Sequence, residues 1–195
     1  MTSAAPIRHD RGTGALRAVL REDLTAMAEG EQLTPARVLL RMAVHARWRA
    51  VPLWRVAQVC MTRGWSKPIA LWLADRVLAT SGAELHPASQ VGPGVVIKHT
   101  GGLVVGGQVR AGARLTLHQN VTLGDRHPYS GQPRLGDDVV VGAGACVLGP
   151  IEVGDRVVVA ANSVVLHDVP ADTVVAGAPA RVVRQFVQVS SEGSK

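Results

Sequence analysis

Stepping along the chain by six from Leu85 meets an aliphatic residue at every step: Leu85, Val91, Ile97, Leu103, Val109, Leu115 and Val121. After a break the pattern resumes with Leu135, Val141, Val147, Val153, Val159 and Val165. Small or aliphatic residues often follow four positions later, as at Val95, Gly101, Gly107, Ala113, Val139, Ala145, Ile151, Val157 and Ser163. A period of six keeps nothing on one face of an α-helix. It fits a short strand plus a corner, with the aliphatic residue pointing inward and Gly, Asn or Asp making the turn. Three such strands close one triangular coil, and coils stack about 4.8 Å apart through parallel backbone hydrogen bonds. One coil cannot bury its own apolar corners, but a stack can. The pattern predicts a parallel β-helix over residues 83–170.

The break is informative. Val121 and Leu135 are fourteen residues apart, two more than two hexads, and the segment from Asp125 to Arg134 is polar with two prolines. It reads as a loop extruded from the coil at about 125–134, and loops on a rigid scaffold often carry function. Before Leu85 the period changes. Helices are expected over Ala15–Met27, Thr34–Ala50 and Leu53–Thr80, the last interrupted near Gly64 to Pro68. Thr34-Pro35 is an N-cap followed by proline at the first helical position, and Gly82 closes the helical region. The expected architecture is α+β: a helical region at 1–82, the β-helix at 83–170, and a C-terminal segment at 171–195 whose tail from Ser190 is expected to be disordered.

Composition agrees. Of 195 residues, 47% are apolar and only 3% aromatic, which suits closely packed short strands. The net charge is +6, yet no run of five basic residues occurs and the second half lacks aromatic stacking platforms. A phosphorylated small-molecule ligand therefore ranks above nucleic acid. Trp48, Trp54, Trp65 and Trp72 lie among Arg41, Arg47, Arg49 and Arg55. Charges interrupt every apolar face there, so helix packing is favoured over membrane contact. Cys60 and Cys146 sit in no CxxC or Cys/His cluster and read as packing residues in a reducing cytoplasm. The N-terminus has no apolar signal core and no stretch is long enough to span a bilayer, so a cytoplasmic location is expected.

Particular motifs narrow the reading. Leu20-Arg21-Glu22-Asp23-Leu24, Glu84-Leu85-His86-Pro87, Ile97-Lys98-His99, Gly101-Gly102-Leu103-Val104-Val105-Gly106, Val121-Thr122-Leu123-Gly124, Arg126-His127-Pro128, Val141-Gly142-Ala143-Gly144-Ala145 and Gly177-Ala178-Pro179-Ala180-Arg181 occur in this order. Together they resemble the serine acetyltransferase family of the short bacterial form, from about Leu16 to Arg184. The resemblance implies a left-handed coil, homotrimers or dimers of trimers, and acetyl transfer from acetyl-CoA to a hydroxyl, the chemistry that opens cysteine biosynthesis. It implies that His99 is the general base, as suits a group that titrates near neutrality. Glu84, at a position where the family has Asp, would orient His99. Arg126 and His127 would hold the acceptor's carboxylate. Gly142, Ala143, Gly144, Ala145 and Ala161 would line the CoA arm, and Arg181 would meet its phosphates. Gln119 also matches the family.

The chain departs from the family at the acceptor's ammonium. The two aspartates that grip it there stand at the positions of Lys98 and Thr34 in this sequence, with Asp125 or Glu22 as compensating anions. L-serine is the expected acceptor; the alternative is a hydroxyl on a sugar, a polysaccharide precursor or a specialised metabolite. Zinc held by His99, His118 and His127 is disfavoured because their spacings of 19 and 9 do not suit such a site, and no metal is expected. No cysteine synthase partner is expected, because the family binds it with a C-terminal isoleucine and this sequence ends in Lys195.

Overall fold

The computed structural model describes residues 13–63 and 66–186; Trp65 and the tail from Ser190 lie outside them. Four helices come first: α1 (Thr13–Met27), α2 (Pro35–Val44), α3 (Ala46–Thr62) and α4 (Lys67–Ser81). Then β1 (Glu84–Leu85), β2 (Gln90–Val91) and β3 (Val96–Ile97) make a first coil. β4 (Val104–Val105), β5 (Arg110–Ala111) and β6 (Thr116–Leu117) make the second, and β7 (Thr122–Gly124), β8 (Arg134–Leu135) and β9 (Val140–Val141) the third. β10 (Cys146–Leu148), β11 (Glu152–Val153) and β12 (Val158–Val159) follow. β13 (Val164–Val165) and β14 (Thr173–Gly177) form the last coil, and β15 (Ala180–Gln185) turns back antiparallel on β14. The strands stack into three parallel faces, β1-β4-β7-β10-β13, β2-β5-β8-β11 and β3-β6-β9-β12-β14, the last closed by β15.

All thirteen hexad positions from Leu85 to Val165 are buried. The register, however, relocates the phase change. Leu85 pairs with Val105, twenty residues on, whereas Val105 pairs with Leu123 at eighteen. The two extra residues therefore lie in the corner between β3 and β4, which carries His99, and not in the loop. The loop between Leu123 and Leu135 holds six extra residues and leaves the phase unchanged. Each hexad buries two positions, two residues apart, as at Leu103 and Val105 or Leu115 and Leu117. Stepping by six slid from one buried position to the other at Leu103 without losing a hit.

At the corner between the second and third faces, Gly94, Arg114, Asp138, Arg156 and Asp172 stack from coil to coil, all with positive φ. The four side chains alternate in sign. Arg114 Nε donates to Asp138 at 2.5 Å and Arg156 Nε to Asp172 at 2.5 Å.

The helices differ from expectation in one respect. The helix expected over Thr34–Ala50 stops at Val44, and α3 begins at Ala46 and runs through Pro52. The break falls at His45 because Arg49 Nη1 donates to the carbonyls of Met42 and Ala43 at 2.8 Å, satisfying the end of α2. Thr34 caps α2 as expected, its hydroxyl accepting from Arg37 N. Trp48 and Trp54 are core residues, with Arg41 over the former and Arg55 over the latter, while Trp72 is exposed on α4.

The helical region covers the open edge of the first coil. Such an edge presents unpaired backbone groups that need partners. Buried Arg55 donates to the carbonyls of Val91 (2.6 Å) and Gly92 (2.7 Å), and fully buried Asp23 accepts from Val95 N at 3.0 Å. The two side chains pair with each other at 2.8 Å. Trp54 Nε1 donates to His86 O and Gln58 Nε2 to Ser89 O. Thus α1 and α3 are pinned to the coil by side chains that finish its ladder.

Candidate active site

The corner between the third and first faces forms one edge of the prism. In successive coils it carries His99, Gln119, Gly142 to Ala145 and Ala160 to Ser163, then the turn from β14 into β15 with Arg181. Backbone bonds run up it, from Asn120 N to Gly101 O, Gly144 N to Gln119 O and Asn162 N to Ala143 O. Gly102, Asn120, Gly144 and Asn162 share positive φ there. Above Gln119 nothing larger than a short side chain stands on this edge for two coils. The spacing is tight: a Cβ on Gly142 would lie 2.7 Å from the backbone nitrogen of Ala161. Gly142, Ala143 and Gly144 are half-buried and Ala161 is exposed on this edge, whereas Ala145, expected beside them, points inward and is fully buried in the core of the coil. Gln119 Oε1, in the corner one coil from His99, is shielded from solvent and has no hydrogen-bond partner among the described residues.

His99 itself is exposed and lines an open cleft of about 500 Å³ with His45, Ala46, Arg47, Lys98, Thr100 and Gly101. The two extra corner residues push this segment out toward the helices. On the helical side, Arg47 Nη1 donates to Lys98 O at 3.4 Å. Lys98 Nζ donates to Glu29 Oε1 at 2.7 Å. Glu29 follows α1 with φ +53, ahead of Gly30 with φ +89. The hydrogen bond from Lys98 and then its charge hold the Glu29 carboxyl below its ordinary value, with the charge of Arg47 adding to the effect. Glu31 pairs with Arg41 at 2.5 Å.

The remaining expected residues fall in three places. Glu84 opens β1 beside the His99 edge, its N–H donating to Leu103 O; its side chain is exposed and no hydrogen bond joins it to His99. Arg126 and His127 are exposed in the loop between β7 and β8. That loop leaves at the corner of the first and second faces, and neither residue lines the His99 cleft. Asp125 closes the base of the loop, accepting from Gly131 N at 3.0 Å and Gln132 Nε2 at 2.7 Å. His118 follows Lys98 by one coil, while His127 lies with the loop; among the described residues no group of three or more His, Cys, Asp or Glu is placed to hold a metal ion.

Glu29, His45 and Arg47 were not foreseen. They come from helix ends, where the six-residue period is silent. The one local signal was Glu29 preceding Gly30 at a helix terminus, a place where glycine usually takes the left-handed residue.

A coil of hexads with a histidine at the foot of a glycine- and alanine-lined edge defines a hexapeptide-repeat transferase. Residues 132–167 match the bacterial transferase hexapeptide (six repeats) family. The chain is 34% identical over 171 residues to the serine acetyltransferase of Mycobacterium tuberculosis, covering 85% of this chain and 72% of that protein. It is 34% identical over 180 residues to serine acetyltransferase 2 of Arabidopsis thaliana, covering 90% of this chain and 54% of that one. Among solved structures, the Neisseria gonorrhoeae serine acetyltransferase superposes with a TM-score of 0.79 at 29% identity, over 90% of this chain and 67% of that one. The soybean serine acetyltransferase complexed with serine gives 0.76 at 36% identity, over 86% and 69%. The chain belongs to the serine acetyltransferase family. It spans 54% or less of the matched plant and cyanobacterial relatives.

Proposed function

We propose that this chain is an acetyl-CoA-dependent O-acetyltransferase that moves acetyl to the hydroxyl of L-serine, with His99 as the general base. The observation that carries this reading is the placement of His99, exposed in an open cleft at the foot of the coil edge that carries Gly142, Ala143, Gly144 and Ala161. An alcohol is a poor nucleophile until a base takes its proton. His99 accepts that proton as the hydroxyl oxygen forms a bond to the thioester carbonyl carbon. The carbon–sulfur bond then breaks, the acyl group stays on oxygen, and the proton passes from the imidazolium to the leaving thiolate. Glu84, beside the same edge, is the carboxylate that would orient the ring and stabilise the imidazolium in the reacting complex. The thioester arm lies along the small-residue edge, with its phosphates toward Arg181 and the unpartnered Gln119 oxygen available to a donor on the arm.

Arg126 and His127 hold the acceptor's carboxylate from a neighbouring copy in a homotrimer. This follows from their place on a different edge of the prism, which only a second chain can set against His99. The unpaired thiols of Cys60 and Cys146 suit a reducing cytoplasm.

The test is release of free CoA from acetyl-CoA with L-serine. His99→Ala is expected to lower kcat by about 10²–10⁴ while leaving the fold intact. A variant rate within a few-fold of wild type removes His99 from the chemistry. Absence of serine-dependent release by the wild type removes L-serine as the acceptor.

A further inference from the structure

L-serine, as the acceptor in the reaction proposed above, brings an ammonium and a carboxylate on one carbon. The cleft around His99 is lined by His45, Arg47 and Lys98 and by no acid, the nearby Glu84 being the one assigned above to the His99 ring. The acids in the adjoining hollow, which shares His45 and Arg47 with the cleft, are Glu29 and Glu31, and Glu31 is engaged by Arg41. Glu29 is different. Its side-chain partner is Lys98, the residue next to His99, so its carboxylate is one lysine head away from the cleft. Both members of this pair keep contact with solvent, at 53% exposure for Glu29 and 33% for Lys98, so the bond is exchangeable and not locked in a core. Glu29 is also held in the left-handed region at φ +53, a conformation that disfavours a residue with a Cβ.

We infer that Glu29 recognises the acceptor's ammonium, and that Lys98 is its internal stand-in, joining Arg126 and His127 of the neighbouring copy on the acceptor's carboxylate when the acceptor binds. This deepens the O-acetyltransferase reading and rests on it for the identity of the acceptor. The charge balance closes. A zwitterion inserted into the Glu29–Lys98 pair replaces one ion pair by two, whereas an acceptor with only an ammonium must displace Lys98 with no return. Glu29 and Lys98 are thus specificity-determining residues, selecting an alcohol that carries neighbouring positive and negative groups. A purely structural pair, tying the end of α1 to the coil, would instead weaken all ligands together when broken.

The experiment is calorimetric titration of the full chain with L-serine, glycerate (hydroxyl in place of the amine) and ethanolamine (no carboxylate). Wild type, Glu29→Gln and Lys98→Met are compared, with melting temperatures confirming that each variant is folded. Glu29→Gln is expected to weaken serine and ethanolamine about tenfold or more and to leave glycerate within about threefold, since only the first two carry the charge it meets. Lys98→Met is expected to weaken glycerate and to leave ethanolamine unchanged or tighter. Equal effects of either variant on all three ligands, or no serine binding by the wild type, overturn the inference. CoA release measured in parallel keeps the two readings apart. Serine binding that depends on Glu29, without CoA release, refutes acetyl transfer to serine and leaves this recognition standing.

Discussion

The column of charged residues at the corner of the second and third faces shows how single side chains serve a repeating turn. Arg114, Asp138, Arg156 and Asp172 all occupy a left-handed conformation that costs backbone energy, and each returns part of it through an ion pair to the next coil. Arg114 holds the Asp138 carboxyl below its ordinary 3.8, first through its hydrogen bond. A depressed carboxyl stabilises the folded state above its unfolded value, and that contribution is lost as pH falls through the lowered one. Asp138→Asn is therefore expected to cost little at neutral pH, where the pair is half exposed, and to flatten the loss of stability below pH 3.8. Thermal melts across acid pH check this; an unchanged acid limb would assign that limb to other carboxylates.

At the level of elements, the join between helices and coil is the most sensitive part. Asp23 and Arg55 are both buried, so removing Asp23 leaves the Arg55 charge in the core with only neutral oxygens as partners. Asp23→Ala is expected to destabilise the chain by about 3–5 kcal/mol, read as the urea midpoint. A loss below about 1 kcal/mol would mean that solvent reaches Arg55 and takes over its pairing. The stacking is equally strict. Gly142→Ala puts a methyl against the backbone of Ala161 and is expected to cost about 1–3 kcal/mol, as overpacked positions do. The coil was legible in the sequence because every hexad must bury an aliphatic residue. The two-residue insertion at the His99 corner was hidden for the same reason, since Leu103 and Val105 are both buried and either satisfies the count. The start of α3 at Ala46 was not legible, because the cap that ends α2 comes from Arg49 in the following helix and outweighs the break that Pro52 suggests. His99 and its edge could be read from motifs within the repeat. Glu29 and Arg47 could not, because they meet Lys98 only through the packing of helices on the coil.

For the whole molecule, the separation of His99 from the 125–134 loop within one chain makes assembly part of the proposed function. Chains carrying His99→Ala and chains carrying Arg126→Ala are each expected to be nearly inactive. Mixed and reassembled in equal amounts, they should recover about a quarter of wild-type activity, the fraction of shared sites that draw an intact residue from each side. No recovery, with trimers confirmed by sedimentation, would place both residues in one subunit's site or remove Arg126 from it.

The straight edge above His99 has a further consequence. From the first corner to the turn that leads into Arg181 there are four coil spacings, roughly 19 Å at about 4.8 Å each. Because the coils are held in register by their own backbone, that length does not flex with the surroundings. The solenoid is a ruler. In the acetyl transfer proposed above it would grade a thioester by the reach of its arm, so a carrier truncated short of its nucleotide would still present its acyl group to His99 but leave the far mark unread. Adding or deleting one whole coil would reset the scale by a single strand spacing without altering the chemistry at its origin.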